Sequence, residues 1–460
     1  MLQRKRLALY ALAISSLMLG LVSVSAQDPV TITWYVGLGT GTNSEQIAVQ
    51  EEVVASFNEA HDDIELVLNV AASNETSRDT LSTLIAAGTA PDIVGPVGVA
   101  GSNAFADQWA DITPLIENAG FDTSVFDPAL IELYRQEDGG LGGLPFAVFP
   151  VLTYYNPAAF DEADLEYPPS EFGAPYMLDG EEVAWDYATV AEIAKILTVD
   201  ANGNDATSPD FDPAAVEQFG MNFQWAATRL VWTNLNPSSF YDAATNKITM
   251  PQEWRDASAW YHDAVWGSGI SPNATYQASD LLQPSAMASG NLAMAITPLW
   301  YTCCLDNSVG NFEWNIAPVP ANLAGSQTVA LDADTFRITK GSANPDAAFV
   351  VLQYLVTEAA PKLASVYGAY PALPAAREPW LESISTRYPW EINWSVAGDS
   401  LAYAVPGTQH HESNVPNYAK AYDRERAFLS LLEGDTGKDM DINAELDILA
   451  ADLQAIVDGN

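Results

Sequence analysis

Apolar and polar positions near the start of the chain alternate first with the period of a strand and then with that of a helix. Residues 31–36 alternate as a half-buried strand does, and residues 63–70 repeat that pattern. Between them, a glycine-rich loop, "GLGTGTNSEQ", precedes an apolar helical face, and Thr42 and Glu45 have the spacing of a capping box. This succession of strand, helix and strand predicts a parallel α/β sheet.

Later segments continue the alternation of elements. "LSTLIAAGTAPDIVG" predicts a helix, a turn and a short buried strand, whereas "PFAVFPVLTYYN" predicts a long β-rich run that Pro150 interrupts. Asp186 and Asn344 have the positions of helix starts, because apolar residues recur after each at helical spacing. Because no repeat or long low-complexity linker separates the segments, we predict two α/β lobes joined by strand-like crossovers.

The glycine-rich loop is a candidate ligand contact. In parallel α/β sheets, ligands bind beyond the carboxyl ends of the strands, which is where residues 37–44 are expected to lie. Thr42 and Asn43 are the polar side chains that we single out there. The glycines lack the spacing of a dinucleotide fingerprint, so glycines that serve a tight turn are the alternative interpretation.

Length and charge restrict the class of protein. A chain of 460 residues is long for one core, so at least two domains are expected. The 60 acidic residues outnumber the 18 basic residues, and the resulting charge of −42 repels phosphate backbones and anionic lipids. We therefore expect neutral or cationic partners and no nucleic acid, although the acidity can also serve only solubility.

The N-terminus has the features of a secretory signal. Basic residues at positions 4–6 precede an apolar stretch at 7–24 and a small-residue cleavage site at 24–26. We predict a signal peptide at 1–26, an exported protein in the periplasm or extracellular space, and an uncleaved membrane anchor as the alternative. No cysteine follows the apolar stretch, so we expect no lipid anchor through cysteine.

Two places in the sequence raise the question of a metal or redox centre. Cys303 and Cys304 are the only cysteines, and the four histidines form no zinc pattern with them. The segment "DANGND" spaces the oxygen donors Asp200, Asn202 and Asn204 as a calcium ion prefers, but the later glutamate of an EF-hand is absent. We expect no cofactor, with an Asx-rich turn as the alternative to calcium there.

Five segments carry a resemblance to a known family. In chain order they are "AAGTAPDIV", "WADITPLIE", "LPFAVFPVLTYYNPAAF", "WNIAPVP" and "NPDAAFVVLQYLVTEAAPKLASVYGAYPALPAA". Together they resemble the extracellular solute-binding proteins of ABC importers, in the large sugar-binding group that includes maltose-binding protein. The resemblance covers nearly the whole chain after the signal segment.

The resemblance implies a two-lobed periplasmic-binding-protein fold of type II, in which a ligand cleft between α/β lobes closes by hinge motion. The implied first lobe comprises residues 28–148 and 328–378. The implied second lobe comprises residues 149–327 and 379–460. The implied partners are a carbohydrate ligand and the membrane permease of an ABC transporter, and we expect a monomer.

The same resemblance suggests which side chains contact a sugar, whose rings need flat aromatic side chains and polar groups around them. It implies a stacking role for Trp300, after the strand "LAMAIT", a second cleft aromatic at Tyr422 and, more loosely, a third at Trp225. Tyr301 joins them as the neighbour of Trp300. A buried structural role is the alternative for the tryptophans and for Tyr422.

Some positions depart from the family pattern. Phe149 stands where relatives carry an acidic residue, and the loop "GPVGVAGS" lacks their aromatic or acidic groups. Asp332 and Asp334 are candidates to replace those carboxylates, with exposed turn acids as the alternative. Beside Trp300, we hypothesise a vicinal disulfide between Cys303 and Cys304 that shapes the cleft, with two unbonded thiols as the alternative.

These observations predict a non-enzymatic receptor that captures a carbohydrate, an oligosaccharide above all, and delivers it to a permease. The competing classes are an extracellular glycoside hydrolase and a passive carbohydrate-binding adhesin. A hydrolase needs two carboxylates about 5–9.5 Å apart, which the sequence cannot test. The hydrolase motifs G-x-S-x-G and H-E-x-x-H are absent from the sequence.

Overall fold

The computed structural model of the protein describes residues 28–98, 101, 104–136, 139–225, 228–305, 312–405 and 415–459. The predicted signal peptide lies outside these residues. Among the residues described, no helix is both long and apolar enough to cross a membrane.

The secondary structure alternates between strands and helices along most of the chain. The strands are β1 (Val30–Val36), β2 (Ile64–Val70), β3 (Ile93–Val97), β4 (Leu144–Tyr155), β5 (Tyr176–Leu178), β6 (Glu181–Val183), β7 (Val199–Asp200), β8 (Val216–Asn222), β9 (Tyr241–Asp242), β10 (Lys247–Ile248), β11 (Leu292–Pro298), β12 (Asn315–Ala317), β13 (Val329–Ile338), β14 (Tyr370–Pro371) and β15 (Ala404–Val405). The α-helices are α1 (Ser44–Ala60), α2 (Asn74–Ala86), α3 (Thr113–Ala119), α4 (Pro128–Glu132), α5 (Pro157–Glu162), α6 (Tyr187–Ile196), α7 (Thr228–Leu235), α8 (Gln252–His262), α9 (Ala274–Gln277), α10 (Pro345–Val356), α11 (Ala360–Val366), α12 (Arg377–Ser385), α13 (Ser395–Asp399), α14 (Tyr418–Glu433) and α15 (Ile442–Val457). Short 3₁₀ turns lie at Ala106–Gln108, Thr123–Val125, Asp280–Leu282, Leu299–Cys304, Pro374–Ala376, Ser400–Tyr403 and Asp435–Gly437, and a π-helical turn lies at Asp263–Gly267.

The predicted strand–helix–strand unit at the start of the chain is confirmed. β1 and β2 are parallel, with Val30 opposite Ile64 and Val36 opposite Val70. The predicted capping position of the intervening helix is wrong by one residue. The N-cap of α1 is Asn43, whose side chain accepts a hydrogen bond of 2.8 Å from the backbone N–H of Gln46.

One large mixed sheet organises the fold. Its strand order is β2-β1-β3-β13-β4-β11-β8-β7, with β12 and β14 also paired to β4 and β15 paired to β13. β1 is parallel to β2 and to β3, and β8 is parallel to β11. β13 and β4 run antiparallel to each other between these two groups.

β4 changes its main partner halfway along its length. Residues 144–150 pair with β13, whereas residues 151–155 pair with β11. The expected interruption at Pro150 does not occur, because the strand continues through it and every residue of β4 is buried. The proline lies where the partner changes, so its missing N–H costs the strand little.

The two principal hydrophobic cores meet at β4 and β13. In β4, Phe149 belongs to one core and Val151 to the other. In β13, Leu331 belongs to the first core, whereas Val329 and Ala330 belong to the second. Both strands therefore contribute side chains to both cores, and the lobe boundaries inferred from the sequence stay a prediction.

The predicted helix starts are confirmed. The side chain of Asp186 accepts a hydrogen bond from the backbone N–H of Thr189 and caps α6. Asn344 is the N-cap residue of α10, and Pro345 occupies its first turn. The apolar faces of both helices are buried, because their side chains recur at helical spacing against the sheet.

Candidate functional site

Three of the candidate aromatic residues lie together at one edge of the sheet. Trp225 follows β8 and Trp300 follows β11, and these parallel strands end at the same edge. The Tyr301 ring lies 5.5 Å from the Trp225 ring and 6.5 Å from the Trp300 ring, with interplanar angles of 87° and 82°. We call these three side chains the aromatic cluster. Its place beyond carboxyl strand ends is typical of a ligand site.

The members of the aromatic cluster differ in exposure. Trp225 is 54% exposed, which is unusual for a tryptophan, and Trp300 is half-buried. Tyr301 is fully buried, and its hydroxyl lies 2.6 Å from the Ser285 hydroxyl. Tyr301 therefore supports the two tryptophans, and its own contact with a ligand stays a prediction.

Trp225 has a strained backbone conformation beside a residue that a buried hydrogen bond holds. Its φ angle is +53°, a left-handed conformation that side chains other than glycine adopt at a cost of about 1–3 kcal/mol. The hydroxyl of Thr297 on β11 donates a 2.7 Å hydrogen bond to the carbonyl of Gln224, directly before it. Such strain is commonly found at binding sites, where the surrounding structure maintains it.

Two tyrosines fasten the 3₁₀ turn that carries Trp300. The Tyr154 hydroxyl donates a hydrogen bond of 3.1 Å to the carbonyl of Leu299. The Tyr388 hydroxyl donates one of 3.1 Å to the carbonyl of Thr302. Both hydroxyl contacts are buried, so they hold the turn from beneath without exposure to water.

Gly368 also fixes the position of this turn. A Cβ atom at Gly368 would lie 3.1 Å from Thr302 Cβ and 3.2 Å from both Cys303 N and Trp300 O. The φ angle of Gly368 is +64°, which also favours glycine. The close approach lets the turn pack directly on this backbone.

The two cysteines end the same turn. Cys303 and Cys304 are both half-buried, and their sulfur atoms lie 3.0 Å apart. The sulfurs are in contact without a bond between them in this structure, and the hypothesised disulfide stays a prediction.

Asp332 and Asp334 form a buried acidic pair on β13. They are 6% and 9% exposed and belong to a strand, so the alternative of exposed turn acids is wrong. Burial raises the pKa of the Asp334 carboxyl well above its usual range, and the negative charge of Asp332 raises it further. A Cβ atom at Gly98 would collide with Asp334 Oδ1, so the backbone after β3 closely approaches this carboxyl.

Tyr422 lies near the acidic pair. Burial raises the pKa of the Tyr422 hydroxyl, the guanidinium of Arg426 opposes that rise, and the negative charge of Asp332 adds to it. The ring of Tyr422 stacks on that of Tyr418 at 5.9 Å, and the Arg426 guanidinium carbon lies 5.9 Å from the Tyr422 ring centroid. The structure therefore brings Tyr422 and Asp332 into one electrostatic environment.

The strand of the acidic pair, β13, is two positions from β11, which leads to Trp300, and three positions from β8, which leads to Trp225. Asp332 pairs with Phe149 on β4, and Val151 of β4 pairs with Pro298, two residues before Trp300. Because neighbouring strands lie about 4.8 Å apart, β13 is separated from β8 by about 14 Å and from β11 by about 10 Å. A small solute can span that distance.

Thr42 and Asn43 have local partners. The Thr42 hydroxyl donates a 3.0 Å hydrogen bond to Asn74 Oδ1, and Asn43 caps α1 through Gln46. Their described contacts do not link them to the aromatic cluster or to the acidic pair. Their contact with a ligand stays a prediction.

The calcium candidate is an Asx-rich turn in the structure. The Asp200 carboxylate accepts hydrogen bonds from the backbone N–H groups of Asn202, Asn204 and Asp212 and from the side-chain amide of Asn204, at 2.8–3.2 Å. Burial acts to raise the pKa of Asp200, but these hydrogen bonds outweigh it and lower the pKa to about 2. Calcium would have to displace these donors, and its binding stays a prediction. Within the described ranges, no group of three or more His, Cys, Asp or Glu side chains is arranged to hold a metal.

Sequence reasoning missed the residues that support the aromatic cluster. Tyr154 lies in the segment "LTYYN", but nothing in its spacing indicates a contact with Leu299, 145 positions away. Tyr388 and Gly368 likewise contact the turn only through the fold. A turn glycine between two predicted elements was the only available signal for Gly368.

The comparison with protein families identifies the class to which the chain belongs. The sequence profile of the bacterial extracellular solute-binding proteins matches residues 52–386, which is most of the chain. The protein belongs to this family, as the resemblance predicted. No curated protein matches the sequence.

Solved structures of similar chains share the fold. The ABC substrate-binding protein Lmo0181 from Listeria monocytogenes, solved in complex with cycloalternan, superposes with a TM-score of 0.72 at 19% identity, covering 93% of this chain and 99% of that chain. The sugar-binding protein MalE from Xanthomonas citri gives a TM-score of 0.68 at 16% identity, covering 94% and 98%. MalE from Bdellovibrio bacteriovorus, bound to maltotriose, gives 0.65 at 16%, covering 94% and 99%. The predicted two-lobed α/β fold of the periplasmic binding proteins is therefore confirmed.

Proposed function

We propose that the protein is the extracytoplasmic binding component of an ABC importer, which captures a carbohydrate between its lobes and delivers it to the membrane permease. The observation that carries this proposal is the aromatic cluster, which presents two tryptophans at carboxyl strand ends. The bound ligands of similar structures support the class of ligand, since they include cycloalternan and maltotriose.

The aromatic cluster offers the apolar contacts that a sugar requires. Trp225 and Trp300 both retain exposed surface, so the C–H face of a sugar ring can stack on either indole. A Kd in the micromolar range corresponds to about 8 kcal/mol, which stacked rings and several satisfied hydrogen bonds can supply.

The acidic pair and Tyr422 offer the polar contacts. An ionised Asp332 accepts sugar hydroxyl protons in charge-assisted hydrogen bonds, which are stronger than neutral ones. A protonated Asp334 can in addition donate one, since burial and its acidic neighbour favour that form. A ligand that touches both groups favours closure of the lobes through its higher affinity for the closed state.

Titration with maltotriose and with cycloalternan tests the proposal. We expect saturable tryptophan fluorescence changes without new products in chromatography. Trp225→Ala and Trp300→Ala are expected to weaken binding at least tenfold, about 1.4 kcal/mol, because each removes a stacking surface. Trp266→Phe is the control, since the Trp266 indole N–H donates to the carbonyl of Leu432 outside the aromatic cluster.

Three outcomes would contradict the proposal. Turnover of either sugar would indicate the competing glycoside hydrolase, with the acidic pair as its two carboxylates. Binding without a decrease in the radius of gyration in solution scattering would indicate an adhesin. If neither sugar binds, native mass spectrometry of the freshly purified protein decides, and the retention of a non-carbohydrate solute would overturn the carbohydrate assignment.

A further inference from the structure

The adjacent cysteines have no role in the proposed capture of a solute, yet they lie beside its main aromatic contact. Cys303 and Cys304 are the last two residues of the 3₁₀ turn Leu299–Cys304, which also contains Trp300. Their sulfurs are 3.0 Å apart, and both residues retain exposed surface. The pair is therefore close enough to react internally and is accessible to a small thiol reagent.

We propose that Cys303 and Cys304 form a thiol–disulfide modification site, and that formation of their bond changes the position and surroundings of the Trp300 side chain. This inference goes beyond the proposed function, because it depends on the chemistry of the turn and not on any ligand. The co-reactant is a small disulfide of the class of oxidised glutathione.

The reaction balances as two successive exchanges. The thiolate of one cysteine attacks a sulfur of the small disulfide, which forms a mixed disulfide and releases one small thiol. The thiolate of the second cysteine then attacks the sulfur of the first and releases the other small thiol. The two cysteines lose two electrons and two protons in total, and the small disulfide is reduced to two thiols.

Chain geometry makes such a bond reversible. Consecutive Cα atoms lie about 3.80 Å apart, whereas disulfides usually join Cα atoms about 4.4–6.8 Å apart. An eight-membered ring between neighbours is therefore strained, and strained disulfides are more readily reduced than structural ones. Small thiols and disulfides can thus drive the site in both directions.

The packing of the turn transmits the change to Trp300. The carbonyl of Thr302, next to the cysteines, is held by Tyr388, and the backbone of Cys303 packs on Gly368. The Trp300 carbonyl packs on the same glycine. The peptide between the cysteines has to turn when the ring closes, and little space beneath the turn is left to absorb that movement locally.

Mass spectrometry of the intact protein tests the bond. The purified chain is incubated with oxidised glutathione and then alkylated with iodoacetamide. We expect the wild type to lose two hydrogens, resist alkylation and carry no glutathione. The matched controls Cys303→Ser and Cys304→Ser each keep one thiol and are expected to carry one glutathione instead. A wild type that remains alkylated at both cysteines, or that carries glutathione, would overturn the proposal.

Tryptophan emission tests the coupling to Trp300. We expect the emission spectrum of the wild type to shift reversibly between oxidised glutathione and a reducing phosphine. The shift is expected to be lost in Trp300→Phe, although the cysteines of that variant still oxidise by mass. An equal shift in Trp300→Phe, or oxidation of the wild type without any shift, would overturn the coupling.

Discussion

Asp200 and Asp334 are both buried acids, yet their surroundings move their pKa values in opposite directions. Burial raises both, but at Asp200 four hydrogen bonds from N–H groups favour the charged carboxylate. Asp334 has the negative charge of Asp332 as its neighbour instead. The same residue type therefore acts as an anchor of a turn in one place and as a source of instability in the other.

The Asp200 turn is expected to stabilise the protein above acidic pH. Its folded pKa of about 2 lies below the unfolded value of about 3.9, so its contribution is complete above pH 4 and is lost as the pH falls towards 2. Asp200→Asn is expected to lower Tm at pH 7 and to make less difference near pH 2. Thermal unfolding followed by circular dichroism measures this, with and without calcium. A rise in Tm with calcium in the wild type alone would support the calcium prediction, and an undiminished difference near pH 2 would contradict the carboxylate's role.

Asp334→Asn is expected to have the opposite effect on stability. Because the folded pKa is raised, the unfolded chain releases its proton at a lower pH than the folded protein, so this group's contribution falls as the pH rises above about 4. The amide removes that penalty, and the variant is expected to be more stable than the wild type at pH 7 and equal to it below pH 4. Urea unfolding at both pH values measures the difference. Asp332→Asn is the companion variant. It is expected to retain part of the pH dependence, because burial raises the pKa of Asp334 more than the charge of Asp332 does. An Asp334→Asn variant that is less stable than the wild type at pH 7 would contradict the prediction that the Asp334 carboxylate destabilises the folded protein.

At the scale of secondary structure, the sequence predicts elements that depend on local pattern better than those that depend on partners. β1 and β2 follow from alternation alone, and the Asp186 cap follows from its distance to an apolar face. Pro150 misled the prediction because its effect depends on which side of β4 pairs, which a sequence does not reveal. The capping position at Asn43 was missed because Thr42 and Asn43 are both good caps, and only tertiary contacts distinguish them.

In the candidate site, too, the sequence indicates some residues, whereas the contacts that support them depend on distant partners. Trp300 and Trp225 were found through the resemblance, and the structure brings them together around Tyr301. The support beneath them depends on pairs such as Tyr388 with Thr302, which are distant in sequence. Such contacts arise only when the whole sheet and its helices are assembled.

The turn that carries Trp300 gives a prediction for one backbone position. Gly368→Ala is expected to destabilise the protein by about 2–3 kcal/mol, because a left-handed alanine is strained and its methyl group meets the turn. Gly120→Ala is the matched control, since Gly120 has a φ angle of +62° with nothing within 4 Å of the added carbon. That variant is expected to cost only about 1 kcal/mol. Urea unfolding measures both free energies, and equal losses would show that the turn yields to the methyl group.

At the scale of the whole molecule, two cores share strands and a large negative charge surrounds them. β4 and β13 both contribute residues to both cores, so their backbones connect the two halves of the fold. The formal net charge is −42, and mutual repulsion of this size opposes the compact state. The ion pairs Arg135–Glu132 and Lys362–Glu52 join exposed side chains and contribute little against it.

Salt is therefore expected to stabilise the protein. Raising NaCl from 0.01 to 0.15 M shortens the screening length from about 30 to about 8 Å, which weakens repulsion among the acidic side chains. We expect Tm to rise across this range and then to level off, because most of the long-range repulsion is by then screened. Sucrose at equal osmolality is the control for effects on hydration. A Tm that falls with NaCl would contradict a dominant role for repulsion.

Tyr301 stands nearly perpendicular to both indoles and is itself locked by Ser285 and Tyr154. Each indole therefore has an edge contact with a fixed ring before any solute arrives, which reduces the order that has to be created in the protein during capture. Selectivity among chemically similar ligands is then expected to depend on the stiffness and curvature of each ligand. A ligand whose shape already matches the two indole faces is expected to bind more tightly than a flexible ligand that makes the same contacts.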